Sequence, residues 1–256
     1  MGNTDSAGST SSASTVITPP SGALRLGSDS QVSPLDTRLF ALHATFEAER
    51  PTGAEEDVHM VVSLVDHVIE RCSAPGELVF DPFAGFGTTI TRAVTLRRAA
   101  IGIELLPERV EQLQRSVPGA NVIEGDAREL LRLVRSHTPA GVEATVDLVL
   151  TSPPYMTAEH HDADPLTAYE RDGGNYDRYL HELGLVARQC ALLVRPGGYV
   201  VWNVADIHHA GATTPLIEDC ARVLNQHLDY VGTTEVQWDS YPHDLVADAL
   251  LVFRRG

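Results

Sequence analysis

A chain of 256 residues in which 35 Asp and Glu face 19 basic residues, every one an arginine, carries a formal charge of −16. Phosphate contacts supply much of nucleic-acid affinity, so an acidic chain with no evident basic stripe is a poor free-standing binder of DNA or RNA. The cysteines Cys72, Cys190 and Cys220 fall in or at the end of expected helices and suggest neither a disulfide framework nor a zinc motif, and no apolar run approaches the ~18 residues of a membrane helix.

Residues 1 to about 36 are rich in Ser, Thr, Gly and Pro, with no sustained apolar period and no signal-peptide form. They read as a flexible tail on a cytoplasmic protein, with residues 37–256 as one catalytic domain. From Ala54 to about Cys72 the pattern Val58, Val61, Val62, Leu64, Val65, Val68, Ile69 predicts an amphipathic helix that packs on a sheet and walls the site beyond it. Leu78-Val79-Phe80 then leads into Asp81-Pro82-Phe83-Ala84-Gly85-Phe86-Gly87-Thr88-Thr89 and a helical run from Ile90, which is strand, glycine turn, helix. Gly85 and Gly87 let the backbone approach a ligand, and the N–H groups opening the helix suit a carboxylate or phosphate, although a short Gly-x-Gly equally serves as a tight turn.

Ala100-Ile101-Gly102-Ile103-Glu104 is a second short strand ending in an acid. A βαβ unit places such a carboxylate, about twenty residues after the glycine turn, to hold ribose hydroxyls, so Glu104 is the ribose candidate. A third strand, Asn121-Val122-Ile123-Glu124-Gly125, ends at Asp126, which either accepts a hydrogen bond from an adenine amine or caps the helix beginning at Ala127.

Asp147-Leu148-Val149-Leu150 runs straight into Thr151-Ser152-Pro153-Pro154-Tyr155. Two prolines fix φ near about −65° and remove two backbone donors, so the carbonyls of the turn face a cleft without competing N–H groups, and Tyr155 adds a flat apolar face. A planar ring bearing an exocyclic amine fits such a loop; the alternative is a plain strand-ending turn.

Met156 to Asn175, with His160, His161, Asp162, Asp164 and a Gly173-Gly174 hinge, reads as a lid or substrate-selecting element. These histidines and acids, with His208 and His209 after Asp206, bring a metal site into question, but adjacent histidines usually diverge and none is expected. Asn203 and Asp206, ending the fifth strand, are candidate substrate contacts or strand-end caps. Strands near 77–81, 100–104, 120–124, 146–151, 198–204, 230–238 and 248–254 alternate with helices near 88–98, 106–117, 126–137, 176–194 and 214–228, which predicts a doubly wound α/β sheet. The link from Ser240 to Ala247 is too short for a helical crossover, so the last two strands pair antiparallel.

The chain resembles the nucleic-acid amino-methyltransferases, the N4-cytosine and N6-adenine group that uses S-adenosylmethionine. Asp81-Pro82-Phe83-Ala84-Gly85-Phe86-Gly87-Thr88-Thr89 is similar to that family's cofactor loop, Glu104 to its ribose acid, Asp126 to its adenine-ring acid, and Thr151-Ser152-Pro153-Pro154-Tyr155 to its catalytic loop. The Ser-Pro-Pro-Tyr form is similar to N4-cytosine members, and residues 249–255 resemble the family's final strand. The resemblance covers roughly residues 43–255 and implies a Rossmann-like, seven-stranded sheet with a reversed last strand. It implies S-adenosylmethionine as cofactor, held by Asp81, Phe83, Ala84, Gly85, Gly87, Thr88, Glu104, Asp126 and Thr151, with Ser152, Pro153, Pro154 and Tyr155 catalytic and Asn203 and Asp206 against the substrate.

In that reading the amine gives its N–H groups to Ser152 Oγ and the Pro153 carbonyl while Tyr155 stacks on the ring. Residues 151–158 contain no cysteine, which disfavours carbon-5 methylation of pyrimidines. The cofactor loop precedes the catalytic loop, and no segment is long enough for a separate recognition domain. The partner is a nucleic acid, DNA ahead of RNA, or a small amine, with no membrane; a recognition partner or a homodimer stays open. Two arginine groups, Arg92, Arg97, Arg98 and Arg128, Arg132, Arg135, form either a local basic patch or solvated pairs with neighbouring acids.

Overall fold

The structure, a computed structural model, describes residues 24–26, 32–52, 59–138, 144–155, 175–209 and 211–256. In chain order its elements are β1 (Arg38–Ala41), α1 (His43–Ala48), α2 (Val62–Cys72), β2 (Leu78–Asp81), α3 (Thr88–Thr95), β3 (Ala99–Glu104), α4 (Pro107–Ser116) and β4 (Ala120–Glu124). A 3-10 turn (Ala127–Glu129) then leads into α5 (Leu130–Ser136), followed by β5 (Val146–Thr151), α6 (Tyr176–Leu193), β6 (Val194–His209), β7 (Ala212–Thr214), α7 (Leu216–Asn225), β8 (Asp229–Trp238) and β9 (Leu245–Arg254).

The strands form one nine-stranded sheet ordered β1-β8-β9-β6-β5-β2-β3-β4, with β7 paired to β6. β9 runs antiparallel to both β6 and β8, while the remaining pairs along that order are parallel. The doubly wound sheet with a reversed last strand is therefore present, and its seven expected strands are joined by two more. β1 lies on the edge with Phe40 71% exposed, and β7 is three residues long, so neither gives enough burial for an alternating pattern.

Central β5 is buried at Val146, Leu148, Val149, Leu150 and Thr151, as a parallel strand covered on both faces must be. On one face Val149, Val200, Trp202, Leu251 and Phe253 pack with residues of α6 and α7. On the other, Val79, Leu148, Leu150, Val201 and Val252 pack with α2, α3 and α4. Helix α2 contributes Leu64, Val65, Val68, Ile69 and Cys72, a stripe at helical spacing.

Two boundaries differ from the sequence reading. Helix α2 starts at Val62, where Glu49 Oε2 accepts the Val62 N–H at 2.8 Å and so supplies a cap while Val61 is extended; residues 53–58 of the expected helix lie outside the described residues. Strand β6 continues past 204 to His209, paired with β9 from Tyr199↔Arg254 to Ile207↔Leu245. Asn203 and Asp206 therefore lie inside a strand rather than at its end. Ahead of β1, the Arg25 carbonyl accepts from Tyr230 N at 3.0 Å, the Asp36 carbonyl accepts from Thr234 Oγ1 at 2.8 Å, and Leu35 is buried. Among the described residues no helix is long and apolar enough to cross a membrane.

Candidate active site

The parallel arrangement brings the carboxyl ends of β2, β3, β4 and β5 to one edge of the sheet, where ligands of open α/β sheets collect. Asp81, the last residue of β2, is buried and accepts from Phe83 N at 3.0 Å and from Thr151 Oγ1 at 2.6 Å. Burial pushes its carboxyl up to about 6 against the opposing pull of those hydrogen bonds. Gly85 and Gly87 both have positive φ, +52° and +84°, so the turn that follows needs residues without a Cβ. At Gly87 an added Cβ would lie 2.3 Å from Leu113 Cδ2, whereas at Gly85 nothing lies closer than the Phe83 carbonyl oxygen at 3.8 Å.

Glu104 ends β3 buried, and its two oxygens are fixed by backbone donors: Oε2 accepts from Gly85 N at 2.8 Å and Oε1 from Leu106 N at 2.9 Å. Phe83, Ala84, Gly85, Gly87 and Thr88 thus form one loop tied to Glu104 on one side and, through Asp81, to Thr151 on the other. Asp126 caps the 3-10 turn by accepting from Arg128 N at 2.8 Å, and its carboxylate also holds the Arg128 side chain, Nη2 to Oδ2 at 2.6 Å. Burial pushes the Asp126 carboxyl up, but the hydrogen bonds and charge of Arg128 outweigh it and hold the group below its ordinary value.

Beyond β5 the catalytic-loop candidates turn across β6. Ser152 Oγ lies 3.2 Å from Tyr155 Oη, and Tyr155 Oη donates to the Asn203 carbonyl at 3.4 Å. The Pro154 carbonyl is taken by the Tyr179 hydroxyl at 2.9 Å. Pro153 is buried, and Tyr155, half-buried, packs against the α6/α7 core with its phenol pushed up by burial. Asn203 Nδ2 donates to Asp248 Oδ1 at 2.6 Å and to the Ala249 carbonyl at 3.2 Å. Asp206 Oδ1 accepts from Ile217 N at 2.9 Å, capping the start of α7 from across the loop. The side chains of Asn203 and Asp206 are thus tied to the protein itself.

The sequence reading passed over Asp248, Trp238 and Tyr179. Asp248 is buried, accepts from Trp238 Nε1 at 2.8 Å as well as from Asn203, and is pushed up to about 6 by burial. Its one sequence signal is an acid inside the otherwise apolar run Leu245–Phe253, since a buried carboxylate costs several kcal/mol unless it is well hydrogen-bonded.

Most of the arginines weighed as a basic patch face acids or carbonyls. Arg92 binds both oxygens of Asp66, at 2.7 and 2.8 Å; Arg98 donates to the Ser73 and Leu96 carbonyls at 2.7 and 2.8 Å; Arg128 also reaches Glu182 at 3.0 Å and Arg132 pairs with Glu129. His160, His161, Asp162, Asp164, Gly173 and Gly174 lie outside the described residues. His208 Nδ1 sits 3.0 Å from Thr213 Oγ1 and His209 Nδ1 3.6 Å from Asp244. Among the described residues no group of three or more His, Cys, Asp or Glu is arranged for a metal ion.

The strand, the glycine turn and the buried acid on the next strand fall in a segment that known proteins share. Residues 52–115, which include the Asp81–Thr89 loop and Glu104, match the DNA methylase family of N6 and N4 type. This part of the chain is similar to the DNA amino-methyltransferases. The catalytic loop lies beyond the matched segment. No curated protein sequence matches the chain.

Among solved structures, TrmN from Thermus thermophilus is 20% identical with a TM-score of 0.54, over 77% of this chain and 49% of that one. The T. thermophilus 16S rRNA N2 G1207 methyltransferase RsmC, solved with AdoMet and guanosine, is 16% identical with a TM-score of 0.51, over 80% and 45%. A methyltransferase from Pyrococcus furiosus is 12% identical with a TM-score of 0.51, over 83% and 95%. The chain thus spans about half the length of the two Thermus proteins, and what it shares with all three is the methyltransferase fold.

Proposed function

We propose that this chain is an S-adenosylmethionine-dependent N-methyltransferase acting on an exocyclic base amine, with cytosine N4 in DNA as the substrate that its Ser-Pro-Pro-Tyr loop matches best. The observation that carries the reading is the Thr151 Oγ1 to Asp81 Oδ1 bond of 2.6 Å, because it sets the amine-binding loop directly against the glycine loop on the ligand edge of the sheet.

The residues of the glycine loop fit the cofactor. At Gly85 an added Cβ would meet only the Phe83 carbonyl oxygen, at 3.8 Å. Glu104 is held rigid by one backbone N–H on each oxygen, which leaves each oxygen a further acceptor position for a ribose diol. Bound there, S-adenosylmethionine supplies an electrophilic methyl group on sulfonium. The chain's own part is to orient and to exclude water: Ser152 Oγ takes an amine N–H so that the nitrogen lone pair stays available. The loop would hold the amine lone pair toward that methyl group, and the proton that the methylated nitrogen sheds would pass to water. A base within a polymer enters only unstacked or from a single strand, at a cost of a few kcal/mol.

A second reading, the same core working on RNA or on a small amine, is favoured by the charge of −16 and by the pairing of Arg92, Arg128 and Arg132 with Asp66, Asp126, Glu182 and Glu129, which takes these three arginines from a phosphate-binding patch. The test is transfer of labelled methyl from S-adenosylmethionine into DNA, RNA and a small-molecule extract in parallel, with the product identified by mass and Ser152→Ala as control. N4-methylcytosine in DNA supports the first reading; label in RNA or the extract alone supports the second; no label in any of them rejects both.

A further inference from the structure

The Pro-Pro dipeptide leaves a gap in the sheet that Tyr155 fills. The last register pair between β5 and β6 is Thr151↔Trp202; beyond it Pro153 and Pro154 have no N–H to offer the next carbonyl of β6. That carbonyl belongs to Asn203, and the Tyr155 hydroxyl donates to it at 3.4 Å. The residue is held on its other side by strand pairing to Leu250 and by its side-chain bonds to Asp248 and the Ala249 carbonyl.

A phenol has one proton and a carbonyl can only accept. With its proton on the Asn203 carbonyl, Tyr155 meets Ser152, 3.2 Å away, as an acceptor, so the Ser152 hydroxyl donates to Tyr155. The remaining lone pairs of Ser152 Oγ are then its only free hydrogen-bonding capacity. The nearby Pro154 carbonyl is already occupied by the Tyr179 hydroxyl at 2.9 Å.

We propose that Tyr155 and the Asn203 carbonyl are positioning groups that fix the Ser152 hydroxyl as an acceptor, so that the site takes a group that donates an N–H and turns away a ring that offers a carbonyl oxygen at the same place. The inference rests on the amine-methyltransferase reading above and deepens it, because it gives the Tyr155 hydroxyl a task that a stacking ring alone does not have. Tyr155→Phe is the discriminating variant, since it keeps the ring and removes only the hydroxyl.

The first arm needs no turnover: with tyrosine labelled at 13Cζ, the Tyr155 resonance is compared between the wild-type chain and Ser152→Ala. Loss of the hydrogen bond that the Tyr155 oxygen accepts moves that resonance downfield; an unmoved resonance, or the upfield move that loss of a bond donated by Tyr155 gives, overturns the proposal. The second arm uses the substrate identified by labelled transfer. Tyr155→Phe lowers kcat about tenfold or more with KM and affinity for S-adenosylmethionine unchanged, while the thermal midpoint falls only by the few degrees that one lost donor to the Asn203 carbonyl costs. Full kcat, or a fall matched by loss of cofactor affinity or of folding, overturns it. Because the spectroscopic arm reads the hydrogen bond without catalysis, failure of the methyltransferase reading and failure of this inference are separable.

Discussion

Thr151 Oγ1 donates to Asp81 Oδ1 across 2.6 Å, joining the last residue of β5 to the last residue of β2. These strands are neighbours in the sheet, so a single buried hydrogen bond sets the spacing between the glycine loop that leaves one and the proline loop that leaves the other. A buried polar pair of this kind is costly to break, because either partner left alone keeps its desolvation penalty.

Asp81 therefore gives the protein a pH dependence of predictable sign. Its carboxyl is pushed from 3.8 to about 6 in the folded chain, so the folded state binds the proton more tightly than the unfolded one. Below about pH 4 both states are protonated and nothing is lost; from about pH 4 to about pH 6 the unfolded chain releases the proton first, and stability falls by on the order of 3 kcal/mol. Asp248, also pushed up to about 6 by burial, adds a fall of the same sign over the same range. Asp81→Asn keeps an acceptor for Thr151 and Phe83 without the charge. Its thermal midpoint at pH 7 is expected at or above that of the wild type, with a flatter profile between pH 4 and 6. Midpoints measured across that range check this, and a variant less stable than the wild type at pH 7 contradicts it.

Glu104 divides fold from ligand less cleanly. Glu104→Ala leaves the Gly85 and Leu106 N–H groups without their acceptors, at a cost of about 1–3 kcal/mol, and abolishes binding of S-adenosylmethionine. Glu104→Gln retains an acceptor and recovers most of the stability. Calorimetric titration with S-adenosylmethionine, run beside thermal melts, separates the two effects. Unchanged affinity in Glu104→Ala would remove Glu104 from the cofactor site.

Ser152 is half-buried and its one described hydrogen bond is to Tyr155, so removing its hydroxyl disturbs little of the core. Ser152→Ala is expected to fold and to bind S-adenosylmethionine as the wild type does, while methyl transfer falls by about 10²–10³, the usual cost of one well-placed hydrogen bond at a reacting centre. Single-turnover transfer of labelled methyl checks it; full activity would make Ser152 structural.

Much of this architecture was legible in the sequence because it is written in periods and punctuation. The apolar runs of β2 to β6, β8 and β9 and the stripe of α2 follow from spacing, and Gly87 marks the start of α3 because only a residue without a Cβ takes φ +84° easily. What was hidden depends on register. Asp248 meets Asn203 from 45 residues away and Trp238 across a turn, and no local pattern says which side chains of three paired strands share a place. Asp126 shows the same limit from the other direction: its acid was visible, but the Arg128 side chain that occupies it was weighed as part of a basic patch. The Asn203 and Asp206 side chains were legible as polar residues in an apolar strand, yet their partners, Asp248 and the N–H of Ile217, come from later elements.

Gly87 offers the sharpest test of how the glycine loop packs. Its φ of +84° and an added Cβ only 2.3 Å from Leu113 Cδ2 impose two separate costs on Gly87→Ala: about 1–2 kcal/mol for the left-handed backbone, and about 1–3 kcal/mol for overpacking against a buried leucine of α4. Leu113→Ala alone leaves a cavity and is itself destabilising, by about 2–5 kcal/mol. In the double variant the new methyl occupies part of that space, so the two losses are expected to sum to more than the double variant shows, by at least about 1 kcal/mol in urea unfolding. Strict additivity would mean that the backbone strain at Gly87, and not its contact with α4, decides why a glycine stands there.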